Sequence, residues 1–128
     1  MSNMDEENLR HVKNIADELE KIASRECYKI DGECVDKDSI DDDDENDYEE
    51  YTIWDYFDDC LDIEYVVHAD KTYKGVRAMI TCGGPNIYVN TMTNKVELYW
   101  WSDEASYPIS KRVADEIDTY FEELYNCC

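Results

Sequence analysis

The chain has 128 residues, 43% of them apolar, with 11 Tyr and 3 Trp. That is enough for one hydrophobic core in a single domain over residues 1–128, and too much for wholesale disorder. The formal net charge of -21 repels nucleic acid and anionic membrane surfaces and favours encounter with basic proteins.

No apolar run reaches about 18 residues, so no transmembrane helix is expected. The acidic start MSNMDEENLRH is the reverse of a secretory signal, so a cytoplasmic protein is expected.

Residues 5–24 predict an amphipathic helix. Leu9, Val12, Ala16, Leu19 and Ala23 recur at steps of three and four, with Ile15 and Ile22 beside them. Asp5, Glu6 and Glu7 lie in its first turn, and Lys21 and Arg25 in its last, as the helix dipole favours.

Beyond Cys27 the periodicity fades. KIDGECVDK predicts a short turn or hairpin around Gly32, and DSIDDDDENDYEEY holds too few apolar residues to bury. It reads as an exposed loop or a solvated helix start. Within residues 31–64 stand seventeen acids and one base, Lys37, a net of -16. Solubility asks for a net charge of about 2 to 8 in a small domain, so this acidity is a local feature. TIWDYFDDCLD then predicts a helix of about two to three turns capped by Thr52. Ile53, Trp54, Phe57, Cys60 and Leu61 fall on one side of it, and Asp55, Asp58, Asp59 and Asp62 on the other.

The next stretch changes to strands. DIEYVVHAD and GVRAMITC are rich in β-branched and aromatic residues and are joined through KTYK. GGPN punctuates the chain, NIYVNT is a third strand, and TNK turns into VELYWW, a fourth. In that strand Trp100 faces opposite to Tyr99 and Trp101. SDEASYPIS reads as a loop. Ser110 caps a last helix whose buried stripe is Val113, Ile117, Tyr120, Phe121 and Leu124. The expected fold is α+β: an antiparallel meander of about four strands, with an N-terminal, a short middle and a C-terminal helix on one face.

Catalytic and metal chemistry find little footing. Among 33 acids chance proximity hides any acid/base dyad. No nucleophile elbow or phosphate-binding loop is present, since Gly83-Gly84 runs into Pro85-Asn86 and a strand. His68 and Cys82 read as ordinary, partly buried strand residues. The six cysteines show no CxxC pair, and neither His11 nor His68 adjoins one, so reduced thiols are expected and zinc is not. A calcium loop starting at Asp36 fails at Ile40 and Asp41. No enzyme activity and no cofactor are expected.

Binding finds more. Phosphates step about 3.4 Å along each strand of a duplex, close to the rise per residue of an extended chain. Asp41, Asp42, Asp43, Asp44, Glu45, Asp47, Glu49 and Glu50, with Asp55, Asp58, Asp59 and Asp62, can therefore offer carboxylates at phosphate-like density. Trp54 stands among them as an aromatic anchor, with Tyr48, Tyr51, Tyr56 and Phe57 nearby. The expected partner is a basic nucleic-acid-binding protein.

With this acidic run, the chain resembles small acidic proteins of phages and mobile elements that block host defence, the anti-CRISPR proteins and DNA-mimic antirestriction proteins. Residues 82–125, CGGPNIYVNTMTNKVELYWWSDEASYPISKRVADEIDTYFEELY, are also similar to uncharacterised prophage proteins of Gram-positive bacteria. The resemblance implies a CRISPR effector complex as first candidate target and a restriction nuclease as second, in the cytoplasm of a bacterial host. It transfers no active-site residue. Two other classes stand beside it: an acidic adaptor or chaperone for a basic nucleic-acid-binding protein, and a metal-binding or enzymatic module.

Overall fold

The computed structural model describes residues 3–39, 48–82 and 84–127. Helix α1 (Asn3–Ala23) buries Val12, Ile15, Ala16, Leu19, Ile22 and Ala23. Leu9, expected in that stripe, is 49% exposed. Four residues before Val12 the buried seat belongs to Asn8, whose Nδ2 has no hydrogen-bond partner among the described residues. The helix ends where Arg25 turns left-handed (φ 64) and Glu26 N–H reaches back to the Lys21 carbonyl at 3.0 Å, a Schellman-type stop.

Strands β1 (Cys27–Ile30) and β2 (Glu33–Asp36) form the hairpin expected around Gly32. Its two central residues, Asp31 (φ 54) and Gly32 (φ 80), both take the left-handed conformation that matches strand twist. A 3-10 turn covers Lys37–Ser39, and β3 (Glu49–Glu50) pairs with the free edge of β1. The result is a small three-stranded sheet in the order β2-β1-β3.

Thr52 caps helix α2 (Ile53–Phe57) with a reciprocal box: its hydroxyl accepts from Asp55 N–H, and its own N–H donates to the Asp55 carboxylate. The helix is shorter than its sequence predicts. Leu61 N–H already donates to the Met79 carbonyl at 2.8 Å, so the chain has joined the sheet before a third turn can form. Asp62 begins a strand and does not share a helix face with Asp55, Asp58 and Asp59. Leu61, placed on the buried side, is 55% exposed.

The larger sheet is a five-stranded antiparallel meander: β4 (Asp62–Val67), β5 (Tyr73–Thr81), β6 (Asn86–Asn90), β7 (Lys95–Trp100) and β8 (Asp103–Pro108). Strand β8 replaces the expected loop. Its apolar inward residues are only Ala105 and Tyr107, too weak an alternation to stand out among Asp103, Glu104 and Ser106. The pairing with β7, Val96 opposite Tyr107 and Leu98 opposite Ala105, creates the strand. His68 lies past the end of β4 and is exposed, as is Cys82, so neither is the half-buried strand residue expected.

Helix α3 (Lys111–Asn126) is capped by Ser110, whose hydroxyl accepts from Val113 N–H. It packs on β5, while α1 lies across β7 and β8 and α2 rests against α3. Val76, Ala78, Ile87, Val89, Val96 and Leu98 on the inner sheet face are fully buried against Leu19, Phe57, Ile117 and Phe121. Leu124 completes the α3 stripe only partly buried. Trp100 packs toward this core, and Tyr99 faces outward, as the strand alternation requires. The outer face is tied together by Arg77, stacked 3.5 Å over the Tyr88 ring and paired with Glu64 at 3.2 Å and Glu97 at 3.7 Å. Among the described residues no helix is long and apolar enough to cross a membrane.

Candidate acidic interface

Asp41, Asp42, Asp43, Asp44, Glu45 and Asp47 lie outside the described residues. The remaining members of the expected set divide into two kinds. Glu50 and Asp55 are tied internally. Glu50 pairs with Lys37 at 3.1 Å and, more loosely, with Arg25 at 3.9 Å. Asp55 accepts from Lys29 Nζ at 3.0 Å while its other oxygen serves the Thr52 cap. Burial pushes the Asp55 carboxyl upward, but hydrogen bonds from Thr52 and Lys29 outweigh it and hold the pKa below the ordinary value. Lys21 closes the set on Asp36 at 2.8 Å. Its ammonium is held above its usual pKa chiefly by that hydrogen bond.

Those pairings matter for the field outside the protein. Lys21, Arg25, Lys29 and Lys37, the cations of residues 21–37, each already face a carboxylate. Exposed pairs add little stability individually. Their effect here is to leave the surplus acids unopposed.

Glu49, Asp58, Asp59 and Asp62 are exposed and have no ion pair among the described residues. Asp58 and Asp59 follow directly on α2, and Glu49 stands on the edge strand β3. Asp62 sits at the start of β4 and accepts the next backbone N–H, from Ile63, at 3.0 Å.

Trp54 remains 49% exposed because α2 turns Ile53 and Phe57, not Trp54, into the core. Its ring lies 5.3 Å from that of Tyr120 on α3. The Tyr120 phenol is pushed up by burial first and by the Asp58 carboxylate second, so Asp58 belongs to the same surroundings. Between α2, the end of α1 and α3 opens a cleft of about 440 Å³ lined by Arg25, Thr52, Ile53, Trp54, Glu116 and Thr119. Sequence reasoning placed Trp54 here and missed Glu116 and Thr119. Their one signal is spacing: Glu116 stands one turn before the buried Tyr120 and shares its helix face. That α2 docks against this face is tertiary information.

A second groove, of about 320 Å³, runs beside Asp59 and includes His11, Tyr51, Tyr56 and Cys60. Burial raises the Tyr51 phenol to about 12, and Tyr56 also goes up, so both are neutral hydrogen-bonding groups at physiological pH. Among the described residues no three His, Cys, Asp or Glu side chains converge as a metal site. The arrangement offers carboxylates and an aromatic, the means of recognising cations.

Comparison with family models, curated proteins and solved structures found no match to this chain.

Proposed function

We propose that the protein is an inhibitor of a bacterial nucleic-acid-targeting defence system, an anti-CRISPR protein first of all, that fills a basic DNA- or RNA-binding groove with a DNA-mimicking acidic surface. The observation that carries this reading is the concentration of a net charge of -16 on residues 31–64. It is supported by the exposed Glu49, Asp58, Asp59 and Asp62 around the same end, where the neighbouring cations are already paired. A groove shaped for phosphates holds Lys and Arg at matching spacing. Carboxylates at that density use the target's own electrostatics, and Trp54 adds an apolar anchor that slows dissociation. The partner is a protein and not nucleic acid, and the setting is the cytoplasm of the bacterial host.

The test is competition. A guide-loaded CRISPR effector complex and a type of restriction nuclease are each incubated with the protein and then with duplex DNA carrying the cognate site. Cleavage of one of them should fall as the protein is added, and excess duplex should displace the protein. Simultaneous binding of DNA and this protein to the affected nuclease, or unchanged cleavage by both, would sink the inhibitor reading. If the nuclease's DNA binding is left intact or assisted, the adaptor role replaces it.

A further inference from the structure

Besides carrying exposed charge, the interface contains a formed cleft, and its lining has a definite chemistry. Trp54 supplies an aromatic wall that is half open to solvent. Tyr120 backs it at 5.3 Å and holds its orientation. Glu116, half-buried and one turn away on the Tyr120 face of α3, forms no ion pair among the described residues. Thr119 lies beside it, and its hydroxyl proton is committed to the Asp115 carbonyl at 2.9 Å, so toward the cleft its oxygen is an acceptor. Thr52 is likewise engaged in its cap. Arg25 also lines the cleft, with its guanidinium 3.9 Å from the Glu50 carboxylate.

The cleft therefore presents a π face, a carboxylate and an acceptor oxygen. That combination suits a planar cation with several N–H donors. A guanidinium stacks on an indole face, the strongest of the aromatic partners for cations, and donates in its own plane to a carboxylate. An ammonium makes the contact as a point charge and stacks less well. A purely apolar side chain leaves Glu116 unpaired beside it. Asp58, whose charge reaches Tyr120, adds to the negative potential.

We infer that the cleft between α2 and α3 is a receptor for one arginine side chain of a basic partner protein, stacked on Trp54 and paired with Glu116. The inference rests on the reading above that the partner is basic, and it brings in Glu116, a contact from outside residues 31–64. Charge complementarity selects this occupant: a second copy of a chain carrying -21 is repelled.

The probe is N-acetyl-arginine methylamide, titrated into the isolated protein at physiological salt and followed by NMR through the indole N–H signal that disappears in Trp54→Leu. A saturable shift with a dissociation constant in the millimolar range is expected, weaker with the lysine analogue and absent with the norleucine analogue. Glu116→Gln should weaken it about fivefold. The proposal is overturned if the norleucine compound binds as well, if Glu116→Gln changes nothing, or if the remaining tryptophan signals move in parallel, which marks diffuse adhesion to the acidic surface. Both variants should melt like the parent, since neither residue is in the buried core. This result is independent of DNA competition, so the cleft and the groove-filling role fail or survive separately.

Discussion

Lys29 and Asp55 join two elements that share no backbone hydrogen bond: the ammonium on β1 meets the carboxylate on α2 at 3.0 Å, while that carboxylate also closes the Thr52 cap. One of the acids that composition assigns to binding is thus a structural clasp. Asp55→Asn is expected to lower the melting temperature. Thr52→Ala should cost about 1 kcal/mol by removing the cap. The pH dependence follows from the sign of the shift. The folded pKa of Asp55 is depressed, so its contribution is present above the unfolded carboxyl value and lost as pH falls through the folded one. Chemical denaturation from pH 7 downward should show an acid-side decline that is shallower in Asp55→Asn.

Glu49, Asp58 and Asp59 should behave in the opposite way. Converting all three to amides removes exposed, mutually repelling charges without touching an ion pair among the described residues. Stability is expected to hold or rise slightly in thermal melts. Association with the proposed basic partner should slow, and the salt dependence of the association rate should flatten, because such charges act through a field screened over about 8 Å at physiological ionic strength. Unchanged kinetics on a sensor surface would show that these carboxylates do not steer the encounter.

The core prediction is steeper. Phe57 and Phe121 meet edge to face at 5.4 Å, and both are fully buried. Phe121→Ala should cost about 3–5 kcal/mol, a large share of the 5–15 kcal/mol typical of a small domain. Ile117→Asp buries an unpaired charge at a fully buried position and should cost about 3 kcal/mol or more. Urea midpoints measure both.

The thiols give a check that needs no partner. Burial first, and then contact with Cys27, raises the Cys34 thiol to about 12, and Cys60 also goes up. Cys82 and Cys127 are exposed. Iodoacetamide at mildly alkaline pH should modify Cys82 and Cys127 quickly, with Cys27 and Cys34 protected until the protein unfolds; peptide mass mapping reads the order. Linkage carries the same sign to stability. The raised Cys34 and Tyr51 values mean that their contribution is intact below the ordinary thiol and phenol ranges and is lost as pH climbs toward about 12.

What was legible in the sequence was local chemistry. Asp31-Gly32, Thr52 and Ser110 announce a turn and two caps by side-chain or backbone preference alone, and all three form. The alternation that sets Trp100 and Tyr99 on opposite faces was equally readable. The failures are contacts between distant segments. Strand β8 exists because β7 pairs with it, α2 stops short because Leu61 bonds to Met79, and Asn8 takes the seat expected for Leu9. The site follows the same division: Trp54 stood out as an aromatic among acids, whereas Glu116 acquires meaning only when α2 lies across α3.

Trp101, read from the sequence as a strand residue on the face of Tyr99, lies in the turn beyond β7. It is 89% exposed at the β7–β8 turn, in the left-handed conformation at φ 58, with its ring edge-on to Trp100 at 5.8 Å. That backbone conformation costs about 1–2 kcal/mol for a side chain of this size and suits Asn or Gly. Trp101→Asn should leave the fold intact by circular dichroism and hold the urea midpoint, the relieved backbone offsetting the lost ring contact. A clear drop in the midpoint would show that the Trp100 stack pins the hairpin.

The placement of α1 across β7 and β8 also bears on how the protein is made. The meander pairs each strand with its successor, so the sheet can assemble as it leaves the ribosome. The helix emerges before all of it yet covers its last two strands, and Glu20 is fastened by Ser110 and Arg112. Until β7 and β8 emerge, the face of α1 that packs on them has no strand to cover. A nascent chain halted within β6 therefore carries a bare apolar stripe on α1, and that is the stage at which a chaperone has something to hold.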